Sequence, residues 1–395
     1  MTSFKKLIFF IFVSVILSVS SVFSQDYKNT FIFAEKVHFG RVINNYVYMD
    51  SFPRRKMLEL NELYFGVLTR GQKAWQERYG YPEVGFSVMT GNLGSERQLG
   101  NTYGIIPTLT FNLHETKSVT MRLRVGMGLT YFDNPFDSIK NPYNILVGSH
   151  ITNLSMASLI YQSRITDNLF FTITGSTIHA SNGHYQIPNV GLNIGSLDFG
   201  FKYYFSKDTA KFYHNLELPE KAKKVKVNFS FGIGQHEFAG SVHPVGTQKW
   251  TIYRASLFLS KRISPVSNIT FGIIGRYYPD YYHEITGKQI FVDDQKLKSN
   301  IFSIYLGHEF IAGHMALFTN VGYNFYAPFR RYNIETFDKK TFSNKMLIII
   351  STDIGLKYYV LNPDRDARFN MFFTVAVRAH YGTADFPELG MGFTF

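Results

Sequence analysis

Every odd position from 119 to 131 is apolar (Val119, Met121, Leu123, Val125, Met127, Leu129, Tyr131), while the even positions hold Thr120, Arg122, Arg124, Gly126, Gly128 and Thr130. Side chains alternate across a β-strand, so this run has one apolar and one polar face. The pattern returns at 225–233, 251–259, 269–277 and 369–379, and the final residues Leu389, Met391, Phe393 and Phe395 again share one face. A soluble sandwich also alternates, but its exposed aromatic edge would invite aggregation. No segment after the N-terminal region offers the roughly 18 continuous apolar residues of a membrane helix. The 39 Phe and 26 Tyr are strand formers, so any crossing is by strands. The fold class expected is all-β, a transmembrane antiparallel β-barrel.

Lys5 and Lys6, the apolar run 7–17 and the small residues leading to Ser24 have the pattern of a secretory signal peptide, residues 1–24. The chain has no cysteine, which excludes a disulfide framework and a cysteine-linked lipid anchor. The net charge of +12 suits nucleic acid or anionic lipid phosphate. Export favours lipid, with no nucleic-acid partner.

Short connectors at 114–117, 165–168, 264–267 and 312–314 read as periplasmic turns, and longer ones at 133–150, 182–191, 279–298 and 327–345 as outer loops. Eight strands fall within residues 25–205. A charged stretch, 206–224, then forms a periplasmic connector, and eight more strands fill 225–395. One barrel of about sixteen strands is the favoured closure. Fourteen strands, or two eight-stranded barrels, are the less favoured alternatives. The terminal alternation ending in Phe395 resembles the C-terminal signal of bacterial outer-membrane barrels, which makes the outer-membrane insertion machinery an expected partner.

His179 and Ser181 lie two apart, so on a strand they share a face at about 6.5 Å along the backbone. The apolar positions Leu169, Phe171 and Ile173 are on that face, which directs it to lipid. On the following strand the parity of Leu197, Phe199, Phe201 and Tyr203 puts Asn193 on the same face. Ser181 as nucleophile, His179 as base and Asn193 as orienter would follow the logic of serine hydrolases. Asn193 can accept the imidazole hydrogen bond but brings no charge. Asn182, Gly183 and Asn189 in the intervening loop are candidate oxyanion donors, Asn189 being the preferred side chain. An isolated His-x-Ser at a strand end is ordinarily just interfacial polarity.

The extended motif His179-x-Ser181-Asn182-Gly183, followed by Pro188-Asn189-x-Gly191, resembles that of the lipid A 3-O-deacylases, outer-membrane barrels that hydrolyse an ester-linked acyl chain. The resemblance covers the first half of the chain, where His and Ser fall on the seventh strand. It implies His179 as base, Ser181 as nucleophile, Asn189 near the oxyanion site, and lipid A or lipopolysaccharide as substrate at the outer leaflet. Where the family has a Glu, this sequence has Asn193.

The alternative function is a non-enzymatic pore, motivated by inward-parity Arg122, Arg124, Arg254, Arg276 and Arg378. No cofactor is expected, because Gly232-x-Gly234 lies within a strand and lacks the strand-to-helix context of a dinucleotide site. No obligatory metal is expected either, since His236 and Glu237 are adjacent and point to opposite faces.

Overall fold

The computed structural model describes residues 30–43, 57–206, 224–238, 240, 242–337, 341–365 and 367–395. The expected signal peptide and most of the expected connector lie outside these residues. Among the described residues there are sixteen antiparallel strands, and they close as two separate eight-stranded barrels.

The first barrel contains β1 (Thr30–Val42), β2 (Leu58–Leu68), β3 (Glu83–Asn92), β4 (Asn101–Glu115), β5 (Val119–Phe132), β6 (Ile151–Arg164), β7 (Leu169–Ser181) and β8 (Leu192–Tyr204). The second contains β9 (Val225–Glu237), β10 (Lys249–Ser264), β11 (Ser267–Tyr277), β12 (Asn300–Ala312), β13 (Met315–Tyr326), β14 (Ile350–Tyr359), β15 (Asn370–His380) and β16 (Thr383–Thr394). Pairing of β8 back onto β1, from Ile32 with Tyr204 to Val42 with Ile194, closes the first ring. Pairing of β16 onto β9, from Glu388 with Gly234 to Thr394 with Asn228, closes the second. The favoured single sixteen-stranded ring is therefore replaced by the two-barrel alternative. Closure leaves no unpaired strand edge facing hydrocarbon, where an unsatisfied backbone group is costly.

Alternation dictates what each lumen holds. In β5, Arg122 and Arg124 turn inward and are buried, while Leu123 and Leu129 face outward. Arg124 makes a two-pronged contact with Glu62, at 2.5 and 2.9 Å. His38 bridges Glu62 and Asp198, at 2.9 and 2.8 Å. Nearby, Glu83 accepts from Lys202 at 2.5 Å and from the Tyr204 hydroxyl at 2.8 Å, and it forms an ion pair with Arg122 at 3.0 Å. In the second barrel Arg378 bridges Asp353 and Glu388, Arg276 reaches Asp353, and Lys357 pairs with Glu309. An eight-stranded ring has just enough internal width for such side chains to fill it.

Short turns at 116–118, 165–168, 265–266 and 313–314 lie at one end of the barrels and long loops at 133–150, 182–191, 278–299 and 327–349 at the other, with the longer β2–β3 segment and the two-residue β15–β16 turn as exceptions. Two helices over the second barrel's long-loop end, α2 (Pro279–Gly287) and α3 (Pro328–Phe337), fall in segments that the sequence reads as loop. Proline at a first helical position is their local signal, because its missing N–H costs nothing there. They bury Tyr281, Ile285 and Phe329 against Ile252, Tyr278, Ile301 and Phe386. At the short-turn end, the segment joining β2 to β3 carries α1 (Ala74–Arg78), followed by Tyr79, whose hydroxyl donates to Val266 O of the second barrel at 3.3 Å. The two barrels therefore touch side by side.

Candidate active site

β7 carries His179 and Ser181 outward while Ile178 and Ala180 point into the lumen, where they join a buried apolar cluster with Leu154, Met156, Leu192 and Ile194. Burying a side chain such as Ile178 stabilises by about 1.5–3 kcal/mol, so the inward neighbours anchor the strand that presents the polar pair. His179 and Asn193 are direct cross-strand partners of β7 and β8. The imidazole Nδ1 lies 2.8 Å from Asn193 Oδ1. An amide oxygen only accepts, so Nδ1 carries a proton, and in the neutral ring this tautomer leaves the lone pair on Nε2. Gly191, at φ +85°, leaves room for the ring: a Cβ there would lie 3.1 Å from His179 Cε1.

Ser181 is the last residue of β7, where the loop to β8 begins. Its Oγ accepts from Asn189 Nδ2 at 2.9 Å and from the Gly183 backbone N–H at 3.1 Å. Asn189 is itself oriented, because its Oδ1 accepts from the Asn182 N–H at 3.2 Å. Asn182 turns its side chain away, donating to Gln186 O at 2.6 Å and to Ser149 Oγ at 3.1 Å. Thus His179 is joined to Asn193, and Ser181 to Asn189 and Gly183. No hydrogen bond connects His179 to Ser181 among the described residues. Catalytic hydrogen bonds are commonly long or misaligned without substrate, and Ser181 Oγ here points to the donors instead.

The loop is braced from two sides. From its own barrel, the 133–150 loop receives the Val190 and Gly191 N–H groups on Ile145 O and Leu146 O, both at 3.1 Å. That loop is ordered in turn by Asp137, whose carboxyl is held below its ordinary range by the Lys140 and Ile139 backbone N–H groups. From the second barrel, Glu237 N donates to His184 O at 3.3 Å, and the Glu237 carboxylate accepts from Ile187 N at 3.0 Å.

Sequence reasoning weighed Glu237 only as a metal ligand beside His236, and it passed over Ser149. Their contacts depend on which loops meet, and periodicity does not encode that. For Glu237 the parity argument was right about direction, since His236 turns inward to Asp280 at 3.2 Å while Glu237 turns out to the first barrel.

Residues 63–202 match the family model described as lipid A 3-O-deacylase, and residues 224–395 match the acyloxyacyl hydrolase C-terminal domain. No curated protein matches the chain. Among solved structures, Neisserial surface protein A aligns at 9% identity over 45% of this chain and 97% of its own, with a TM-score of 0.32. The outer membrane enzyme PagL aligns at 13% identity over 42% of this chain and 97% of its own, with a TM-score of 0.31.

Proposed function

Because the chain belongs to the lipid A 3-O-deacylase family and is an integral outer-membrane protein, we propose that it removes an ester-linked acyl chain from lipid A by a Ser-His mechanism at the outer leaflet. The observation that carries this is the pairing of two half-sites on one outward strand face: Ser181 Oγ with Asn189 Nδ2 at 2.9 Å, and His179 with Asn193 at 2.8 Å.

In the proposed reaction, Ser181 rotates from its resting donors toward His179. The imidazole Nε2 takes the hydroxyl proton while Oγ attacks the ester carbonyl. The carbonyl oxygen becomes an oxyanion and takes over the Asn189 Nδ2–H and Gly183 N–H that Oγ leaves behind. Collapse expels the sugar alkoxide, which receives the proton from the imidazolium. Water, deprotonated by His179, then releases the fatty acid and restores Ser181. Asn193 fixes the tautomer throughout but adds no negative charge against imidazolium.

An outward-facing site lets an acyl chain stay in hydrocarbon while its ester reaches Ser181. The substrate then has no need to enter the lumen, which the ion pairs around Glu62 and Glu83 occupy. Mass spectrometry of lipid A from cells expressing the wild-type chain or Ser181→Ala tests the proposal. Loss of one ester-linked acyl chain with wild type alone is expected, and identical acyl patterns with both would overturn it.

A further inference from the structure

The loop carrying the proposed oxyanion donors leans on the second barrel through polar contacts at several successive positions. His184 O accepts from Glu237 N at 3.3 Å. Lys249, the cross-strand partner of Glu237, places its ammonium 3.9 Å from the Tyr185 ring centroid and donates to Gln186 Oε1 at 3.3 Å. Ile187 N donates to the Glu237 carboxylate at 3.0 Å. Gly183 meets Pro387 of β16 so closely that a Cβ on the glycine would touch the proline ring at 3.4 Å.

We propose that Glu237 is a positioning residue for the oxyanion loop, so that the second barrel completes the site built on the first. This rests on the lipid A hydrolase reading of His179 and Ser181. Glu237 is 4% exposed although its side chain leaves the lumen of its own barrel, because the motif loop covers it. A buried carboxylate needs hydrogen-bond donors. The Ile187 N–H supplies one, and it belongs to the residue two before Asn189. The 133–150 loop holds the same segment from the other side through Val190 and Gly191. With both ends of the short stretch 187–191 bonded, the Asn189 amide has little freedom to leave Ser181. Removing one brace frees it. Preorganised donors are effective only when they need no reorganisation during reaction, so the loss falls on turnover rather than on substrate binding.

The test uses the full chain in detergent micelles or nanodiscs, with Glu237→Ala, Glu237→Gln and the exposed-site variant Lys249→Ala. Hydrogen exchange over residues 182–191 is read by mass spectrometry, alongside kcat and KM on lipid A. In Glu237→Ala, exchange is expected to accelerate about tenfold and kcat to fall about tenfold with KM unchanged, the scale of one lost charge-assisted hydrogen bond. Glu237→Gln retains an accepting oxygen and is expected to restore both values to near wild type. Lys249→Ala, which leaves the buried core intact, is expected to accelerate exchange about threefold, as for loss of an exposed cation–π contact. It serves as the deciding variant if Glu237→Ala does not fold. Unchanged exchange in folded Glu237→Ala, or in Lys249→Ala where that variant decides, would overturn the inference, as would a fall in kcat that Glu237→Gln does not rescue. If exchange responds as expected while wild type itself never turns over lipid A, the brace stands and the hydrolase reading fails.

Discussion

His179 and Asn193 face each other across β7 and β8, with imidazole Nδ1 2.8 Å from the amide Oδ1. The contact supplies the orientation that a general base needs but not the charge that stabilises its protonated form. Replacement of a catalytic aspartate by asparagine is usually harmful because the amide can impose the wrong tautomer. Here the oxygen faces the ring, so the tautomer is already correct. Asn193→Glu should add a charge-assisted bond and raise kcat on lipid A by about tenfold. Asn193→Ala should lower it by about tenfold or more, with both variants compared at matched barrel folding.

Asn189 is expected to act mainly in the transition state, where the oxyanion replaces Ser181 Oγ as acceptor of its N–H. Asn189→Ala should lower kcat by about 10²–10³ while leaving KM near wild type. Steady-state kinetics on purified lipid A separate the two parameters, and a change confined to KM would place Asn189 in substrate binding instead.

The lumen of the first barrel makes a stability prediction independent of chemistry. Glu62 is fully buried and is contacted by Arg124 at 2.5 Å, His38 at 2.9 Å and Lys36 at 3.4 Å. Glu62→Ala removes the carboxylate and leaves Arg124 without its buried partner. The expected loss is about 3–5 kcal/mol, the cost of breaking a buried pair on one side. Urea unfolding of the purified barrel in detergent measures it.

Filled lumens also bear on the pore alternative. Arg122, Arg124, Arg254, Arg276 and Arg378 all point inward and are buried among acidic and polar partners. Planar-bilayer recordings should therefore show no steady open conductance. A stable ohmic channel from the purified chain would restore the transport function as a serious competitor.

Much of this architecture was legible in the alternation. The residues that the periodicity turned inward, such as Arg122 and Arg276, are inside, and outward Leu129 and Phe271 are exposed to the surroundings. Closure was not legible, because sixteen alternating strands look the same in one ring or in two. The choice is made by β8 pairing with β1 rather than with β9, a register relation between segments far apart in sequence. The helices beginning at Pro279 and Pro328 were hidden by their shortness. At the site, strand parity was enough to put His179, Ser181 and Asn193 on one face. It gave Glu237 a face but no partner, because its contact with Ile187 exists only where two barrels meet at one loop. Parity also brought His179 and Ser181 within reach, yet Ser181 rests on Asn189 and Gly183.

The proposed function requires Ser181 to be the nucleophile of a lipid A hydrolase. The most direct measurement is a time course of purified wild type and Ser181→Ala with lipid A, following released fatty acid and shortened lipid A by mass spectrometry. Stoichiometric release of one ester-linked acyl chain is expected from wild type, and none above background from Ser181→Ala. Equal release by the two proteins, or none by a folded wild type, would contradict that function.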